Sequence, residues 1–396
     1  MKLLKMAIML VVTIPLLSGC WDRTEINDIA IVTAAGVDQK EGEQIELSVQ
    51  VFIPRAVSGG GSSSGGGSTG SGTMTLVRSG VGRNIAEAAS KLQIKLPRKI
   101  FWGHCSVFIY SKRIAEEGVR DEMDFLLRYP QPRERAYMYV SKGRASDVLE
   151  LLPPLERNSG EVIHEISNLG MGMRVTVKDF NMMVKADAGA AIMPFIDILP
   201  PREGEQKLQS IPYIVGSAVF KGDKLIGTLS DLATRGVMWI RDEVERATIT
   251  VEPDQAEGFV SIFPVRQSTT LIPVIEEGRY SIRMRIDSEG DLVLNGTDMN
   301  PGEPGAIASM EAAVKAAIRD RIELALQKVQ QEMKADIFGF GEAFHRKYPK
   351  EWKEMKERWD AEFPQVEVPL DITVFIRRSG MITGPAGVQE EKVMAR

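Results

Sequence analysis

Alternation of apolar and polar residues at a period of two marks three segments of the chain as half-buried strands. Ile45, Leu47, Val49, Val51 and Ile53 are interleaved with Glu46, Ser48, Gln50 and Phe52. Tyr280, Ile282, Met284 and Ile286 alternate with Ser281, Arg283, Arg285 and Asp287. Val366, Val368, Leu370, Ile372, Val374 and Ile376 form the third and cleanest run, in which Pro369 favours an edge position or a late strand start because it has no N–H for the ladder. Spacing in threes and fours appears after Pro304, where Met310, Val314, Ile318, Ile322, Val329 and Met333 trace one face of a long amphipathic helix.

Shorter patterns fill the intervals. Residues 29–37 are apolar, Ile85, Ala88, Ala89 and Leu92 have helical spacing, and 99–110 reads as one buried strand. A helix over about 112–127, a strand over 137–140 and a short helix over 146–152, stopped by Pro153 and Pro154, follow. Beyond residue 200 come strand candidates at 214–220, 224–227 and 248–251, and a turn at 288–291 is expected to fold the strand at 280–286 back as a hairpin into Leu292-Val293-Leu294. Helices and mainly antiparallel or mixed sheets predict an α+β protein of more than one domain.

Two segments break the pattern. Residues 58–72 are only Gly, Ser and Thr, which cannot bury apolar area, and are expected to be a disordered loop inside a domain. Residues 201–210, opening with Pro201-Arg202-Glu203-Gly204, are the best linker, separating an N-terminal α+β region (20–200) from a C-terminal α+β domain (211–385), with a flexible tail at 386–396.

The first nineteen residues have the order of an export signal. Lys2 and Lys5 precede an apolar run of about twelve residues, too short to span a bilayer, which needs roughly 20. Leu17-Ser18-Gly19-Cys20 matches a lipobox, so cleavage is expected between Gly19 and Cys20, with Cys20 carrying a diacylglyceryl anchor. Two acyl chains hold a protein stably on a membrane, where one binds only marginally.

Composition adds limits. With 43% hydrophobic and 26% charged residues the body is an ordinary globular chain. The formal charge of −5, which becomes −7 without Lys2 and Lys5, argues against nucleic acid as a partner. Once Cys20 is lipidated, Cys105 has no partner for an internal disulfide.

Several motifs together resemble one family. Cys20-Trp21-Asp22-Arg23-Thr24-Glu25-Ile26-Asn27-Asp28 is similar to the mature start of the Ger(x)C spore-germination lipoproteins. Ala335-Asp336-Ile337-Phe338-Gly339-Phe340-Gly341, followed by His345, Tyr348-Pro349, Trp352 and Trp359, resembles that family's C-terminal signature. Phe101-Trp102-Gly103-His104, Gly216-Ser217-Ala218-Val219-Phe220 and Thr234-Arg235-Gly236 with Trp239 also fit. The resemblance implies three α+β domains, which would divide the N-terminal region near residue 145. It further implies the C subunit of a GerA-type nutrient germinant receptor, lipid-anchored on the outer face of the cytoplasmic membrane, in the spore inner membrane. Two integral-membrane subunits, of A and B type, are the implied partners.

Catalysis finds little support in the residues. Only His104, His164 and His345 are available, none in ligand spacing, and no enzyme activity, cofactor or metal is expected. His104 and Cys105 read as a core pair on a buried strand; Glu116, Glu117, Asp121 and Glu122 read as the solvated face of a helix. Phe338, Phe340, Trp352 and Trp359 are open to two readings, packing in a core or docking a partner, and Trp21, Asp22, Arg23 and Glu25 beside the anchor are further docking candidates. A competing function is a solute-binding lipoprotein serving a transporter, which would need two α/β lobes around a cleft.

Overall fold

Four strands run parallel through the middle of the larger sheet: β1 (Ile29–Gln39), β5 (Val107–Ser111), β6 (Tyr137–Ser141) and β7 (Ala190–Ile198). Their sequences permit it. All five residues of β5 and four of five in β6 are buried, so these strands are covered on both faces, as parallel strands require. Antiparallel wings flank them, β2 (Ile45–Phe52) and β3 (Thr75–Gly82) on one side and β8 (Pro212–Lys221) and β9 (Lys224–Ser230) on the other. The computed structural model describes residues 25–53, 75–204, 206–254 and 256–380; the lipobox, the Gly/Ser stretch at 58–72 and the tail at 386–396 lie outside them.

One face of this sheet carries α1 (Ile85–Ile94), α2 (Lys112–Glu117), α3 (Arg120–Arg128) and α6 (Val177–Lys185), which bury Leu92, Ile114, Leu126 and Phe180 against Val32, Phe108 and Met138. The other face carries α4 (Ala145–Leu149) and α5 (Ser159–Asn168) over Ile109 and Tyr139. Asp38, 1% exposed, fixes α4 to β1, because its carboxylate accepts the Ala145 and Ser146 backbone N–H groups at 2.7 and 2.9 Å.

A second, four-stranded sheet is ordered β10 (Ile249–Val251), β11 (Val260–Glu276), β12 (Arg279–Asn295), β13 (Leu370–Arg378), with β13 parallel to β12. β13 begins directly after Pro369 and lies at the sheet edge, as expected for a strand carrying that proline. The long helix α8 (Pro304–Ala325) lays Met310, Val314, Ile318 and Ile322 on the sheet, as the three-and-four spacing predicts. It continues in wider π-helical turns, Leu326–Met333, where buried Gln330 donates to the Phe363 and Val366 carbonyls at 2.8 and 2.7 Å.

The two sheets share one core through α7 (Asp231–Ile240). Seven of its ten residues are buried, among them Val237, Met238, Trp239 and Ile240. A helix apolar nearly all round is a buried helix. Val219 and Leu229 of the larger sheet, Ile282 and Met284 of the smaller one, and α8 belong to the same cluster. Residues 201–210, the expected linker, join two neighbouring antiparallel strands, β7 and β8, so the larger sheet continues past them to Ser230.

The structure corrects three element assignments and the placement of one side chain. The strand expected over 99–110 is two, β4 (Lys99–Phe101) and β5, split at Trp102–Ser106. Both pair in parallel with β1, Phe101 with Ile31 and Val107 with Ala34. Six residues of advance on one chain face three on the other, so the excess must leave the ladder. His104 therefore stands exposed on this turn, not in the core, whereas Cys105 is buried. The helix over 112–127 breaks at Gly118, whose φ of +125° suits glycine, and Val119 N–H then bonds the Asp223 carbonyl at 3.0 Å. The hairpin turn is not at 288–291. β12 runs straight through, and the reversal lies at Glu277-Gly278, both with positive φ, between paired Glu276 and Arg279. Gly290 instead permits close approach, since a Cβ there would lie 2.5 Å from Ile262 Cγ2.

Glu122 is the fourth correction. It is 4% exposed on α3, unlike its exposed neighbours Glu116, Glu117 and Asp121. Burial pushes its carboxyl from 4.5 up to about 7, with Asp121 and Asp223 adding to the rise against its own backbone N–H. Between these values the folded chain holds a proton that the unfolded chain has lost, so stability falls as pH rises from 4.5 to 7, by about 3 kcal/mol from this group. Glu122→Gln removes that dependence: its stability relative to the parent, from urea unfolding, is expected to climb across this interval and level off above it. Gly236→Ala tests the helix contact, because a Cβ at 236 would sit 1.9 Å from the Arg321 carbonyl oxygen of α8. A loss of about 1–3 kcal/mol is expected in the same measurement.

Candidate functional site

The C-terminal signature folds into a nest of aromatic rings around one carboxylate. After the π turns, Lys334 takes a left-handed conformation, φ +52°, and releases the chain from the helix. Asp336 follows, 6% exposed. Its Oδ1 accepts the Gly339 and Phe340 N–H groups at 3.0 and 3.1 Å, and its Oδ2 accepts the Gly341 N–H at 2.7 Å and the Trp359 indole N–H at 3.0 Å. These backbone donors are the first turn of α9 (Phe340–Lys347) and its cap, where a helix favours negative charge. The glycines fit this geometry: Gly339 has φ +82°, and a Cβ on Gly341 would lie 2.7 Å from the Trp352 ring.

Around the carboxylate stand Phe338, Phe340, Phe344, Trp352, Trp359 and Phe363, each at most 3% exposed. Trp352, on α10 (Pro349–Met355), meets Trp359 edge-on at 5.1 Å, and Trp359 meets Phe344 at 5.8 Å. Edge-to-face contacts of this kind add about 0.5–1.5 kcal/mol per pair beyond area burial. Phe338, Phe340, Trp352 and Trp359 therefore sit in the core, and it is their packing that the structure displays. Burial pushes the Asp336 carboxyl above its usual range, and the bonds from Gly341, Phe340, Trp359 and Gly339 pull it back.

The nest is tied to the rest of the chain at four points. The Trp352 indole N–H donates to Asp187 Oδ2 at 2.7 Å, and His345 Nδ1, whose ring stacks on Trp352, lies 3.5 Å from the same oxygen. Asp187 follows α6, on the turn into β7. Lys221, at the end of β8, pairs with Asp360 at 2.9 Å. Arg241, just past α7, donates to the Ile337 carbonyl at 2.7 Å. Both indole N–H groups are thus spent on carboxylates, that of Trp359 on buried Asp336 inside the nest and that of Trp352 on exposed Asp187 across the junction.

The remaining candidates are dispersed. Glu25 is exposed ahead of the 3-10 turn Ile26–Asp28, and Cys20, Trp21, Asp22 and Arg23 lie outside the described residues. Burial pushes the Cys105 thiol up to about 12, which leaves it unreactive at neutral pH. His104 and His164 line one cleft of about 480 Å³ together with Glu161 and Glu165, a juxtaposition that sequence spacing did not suggest. Among the described residues no group of three or more His, Cys, Asp or Glu has metal-binding geometry, and no helix is long and apolar enough to cross a membrane. Asp336 and Asp187 were also missed. Asp336 sits inside a motif whose aromatics drew attention instead, while nothing local in sequence ties Asp187 to Trp352.

Removing the central acceptor leaves three buried N–H groups, of Phe340, Gly341 and Trp359, and the part-buried one of Gly339 unpaired. Asp336→Ala is expected to cost about 3–5 kcal/mol in urea unfolding and to bring the shift of tryptophan emission to longer wavelength, that of solvated indoles, at a lower midpoint.

Comparison with known proteins accounts for nearly all of the described chain. Residues 22–198 match the family model for the spore germination protein N-terminal domain, and residues 215–380 match that for the spore germination B3/GerAC-like C-terminal domain. The chain is similar to spore germination protein KC of Bacillus subtilis (strain 168), 26% identical over 96% of this chain and 97% of that one. It is similar also to the putative spore germination protein YfkR of the same organism, at 28% over 93% and 94%. The crystal structure of the GerBC protein shares the fold, with a TM-score of 0.58 at 17% identity, covering 87% of this chain and 97% of that one. Signature, architecture and end-to-end similarity converge: this chain belongs to the Ger(x)C family of spore germination proteins.

Proposed function

We propose that the chain is the lipid-anchored C subunit of a GerA-type nutrient germinant receptor, held on the outer face of the spore inner membrane by a diacylglyceryl group on Cys20 and assembled with two integral-membrane subunits. The observation that carries this reading is the likeness to a spore germination protein over 96% of this chain and 97% of that relative. The lipobox supports the anchor, and the tied aromatic nest supports a coupling role, since it makes the C-terminal signature a rigid junction instead of a reaction centre. The partition into 20–200, with a subdivision near 145, and 211–385 is proposed as a division of sequence; the larger sheet itself draws on both parts. The solute-binding alternative calls for two α/β lobes, and the smaller sheet, antiparallel except for β13, does not supply the second.

Purification of the wild type and Cys20→Ala from dormant-spore inner membranes, scored alongside nutrient-triggered germination, tests the assignment. Two membrane subunits are expected with the wild type, and Cys20→Ala is expected to leave the membrane fraction and lose the nutrient response. Normal germination and no membrane partner would overturn it.

A further inference from the structure

A groove of about 570 Å³ opens where α6 and the segment leading into it face the loop after α7. Met182, 59% exposed, and Met183 line it, and Leu169 and Met171, 51 and 49% exposed, stand on either side of the lining residue Gly170 in the sequence. Gly170, with φ +65°, and Gly172 keep the backbone of this wall bare: a Cβ on the first would meet the Glu245 carboxylate and on the second the Ile214 side chain. Methionine is unbranched and polarisable, and it adapts to partners of varied shape.

The groove's charge is one-sided. Its two arginines are already committed, Arg174 to Glu245 and Arg241 to Glu243, the latter at 2.8 Å. Asp179 and Asp242 line it as well and pair with no cation among the described residues; Asp179 serves the capping box of α6, and Asp242 accepts the Thr269 N–H at 2.9 Å. Two uncompensated negative charges beside Met182 and Met183 select against an anionic ligand or an anionic lipid surface. A second copy is disfavoured too, because a two-fold contact would set this negative face against itself. What suits it is a segment that places apolar side chains on the methionines and a lysine or arginine near each aspartate.

We propose that this groove is a docking surface for a basic, apolar segment of a partner protein. It lies between elements from both halves of the sequence, and the Arg174–Glu245 pair crosses it. Occupancy therefore bears on how those halves are held. The proposal is read on the purified chain, so it stands or falls separately from the receptor assignment.

The test is fluorescence anisotropy of the full chain with two labelled twelve-residue peptides of identical apolar content, one with four lysines and one with four glutamates. The lysine peptide is expected to bind. Its affinity is expected to fall about tenfold in Asp179→Asn/Asp242→Asn and again in Met171→Ser/Met182→Ser, exposed positions whose replacement leaves the fold intact, and to weaken in high salt. Equal binding of the glutamate peptide, no binding of either, or undiminished binding of the lysine peptide by both double variants would each overturn it.

Discussion

The two sheets are held as one body by a helix packed so closely that one residue has no room for a side chain. α7 is buried on nearly every side, and at Gly236 its backbone lies against the Arg321 carbonyl of α8. That approach lets α8 cover the smaller sheet while α7 stays on β8 and β9. Since the interior is close-packed, a change there is transmitted to both sheets and not absorbed locally. The Thr234-Arg235-Gly236 motif with Trp239 thus has a mechanical explanation in the structure: Thr234 bonds Ser217 of β8, Gly236 admits α8, and the Trp239 carbonyl takes the Thr269 hydroxyl of β11.

The junction at the C-terminal signature works differently, through hydrogen bonds that must all be satisfied together. Asp336 collects three donors from residues 339–341 and a fourth from Trp359, whose position follows from it. Trp352 is then oriented to reach Asp187, so a local carboxylate fixes a distant contact. Buried networks of this kind are costly when incomplete, which gives the arrangement a single preferred geometry. For a subunit whose proposed work is coupling, such definition matters more than reactive groups.

What the sequence makes legible is whatever depends on neighbours along the chain. The alternation at 280–286 and 366–376 and the spacing after Pro304 correspond to β12, β13 and α8, because periodicity reports which face is buried. The aromatics of the signature could be read as core for the same reason. Long-range constraints were not legible. The split of 99–110 depends on the pairing of both pieces with β1, the turn at Glu277-Gly278 is set by register with β11, and Glu122 is buried by elements that pack over α3. In the site, Asp336 is visible only once the N–H groups it serves are placed, and Asp187 lies 165 residues from Trp352.

The position of β13 has a consequence for how the molecule is built. β12 pairs with β11 across a two-residue turn, but its other edge is completed by a strand some eighty-six residues later, Met284 meeting Leu370. Until residues 370–378 join the sheet, that edge has exposed amide and carbonyl groups, and α8 has only part of the surface it will cover. An open edge of this length is a template for pairing with another nascent chain. The last of the described strands to be synthesised is thus the one that closes the sheet, so chains truncated before Leu370 should be prone to aggregate instead of remaining as shorter folded proteins.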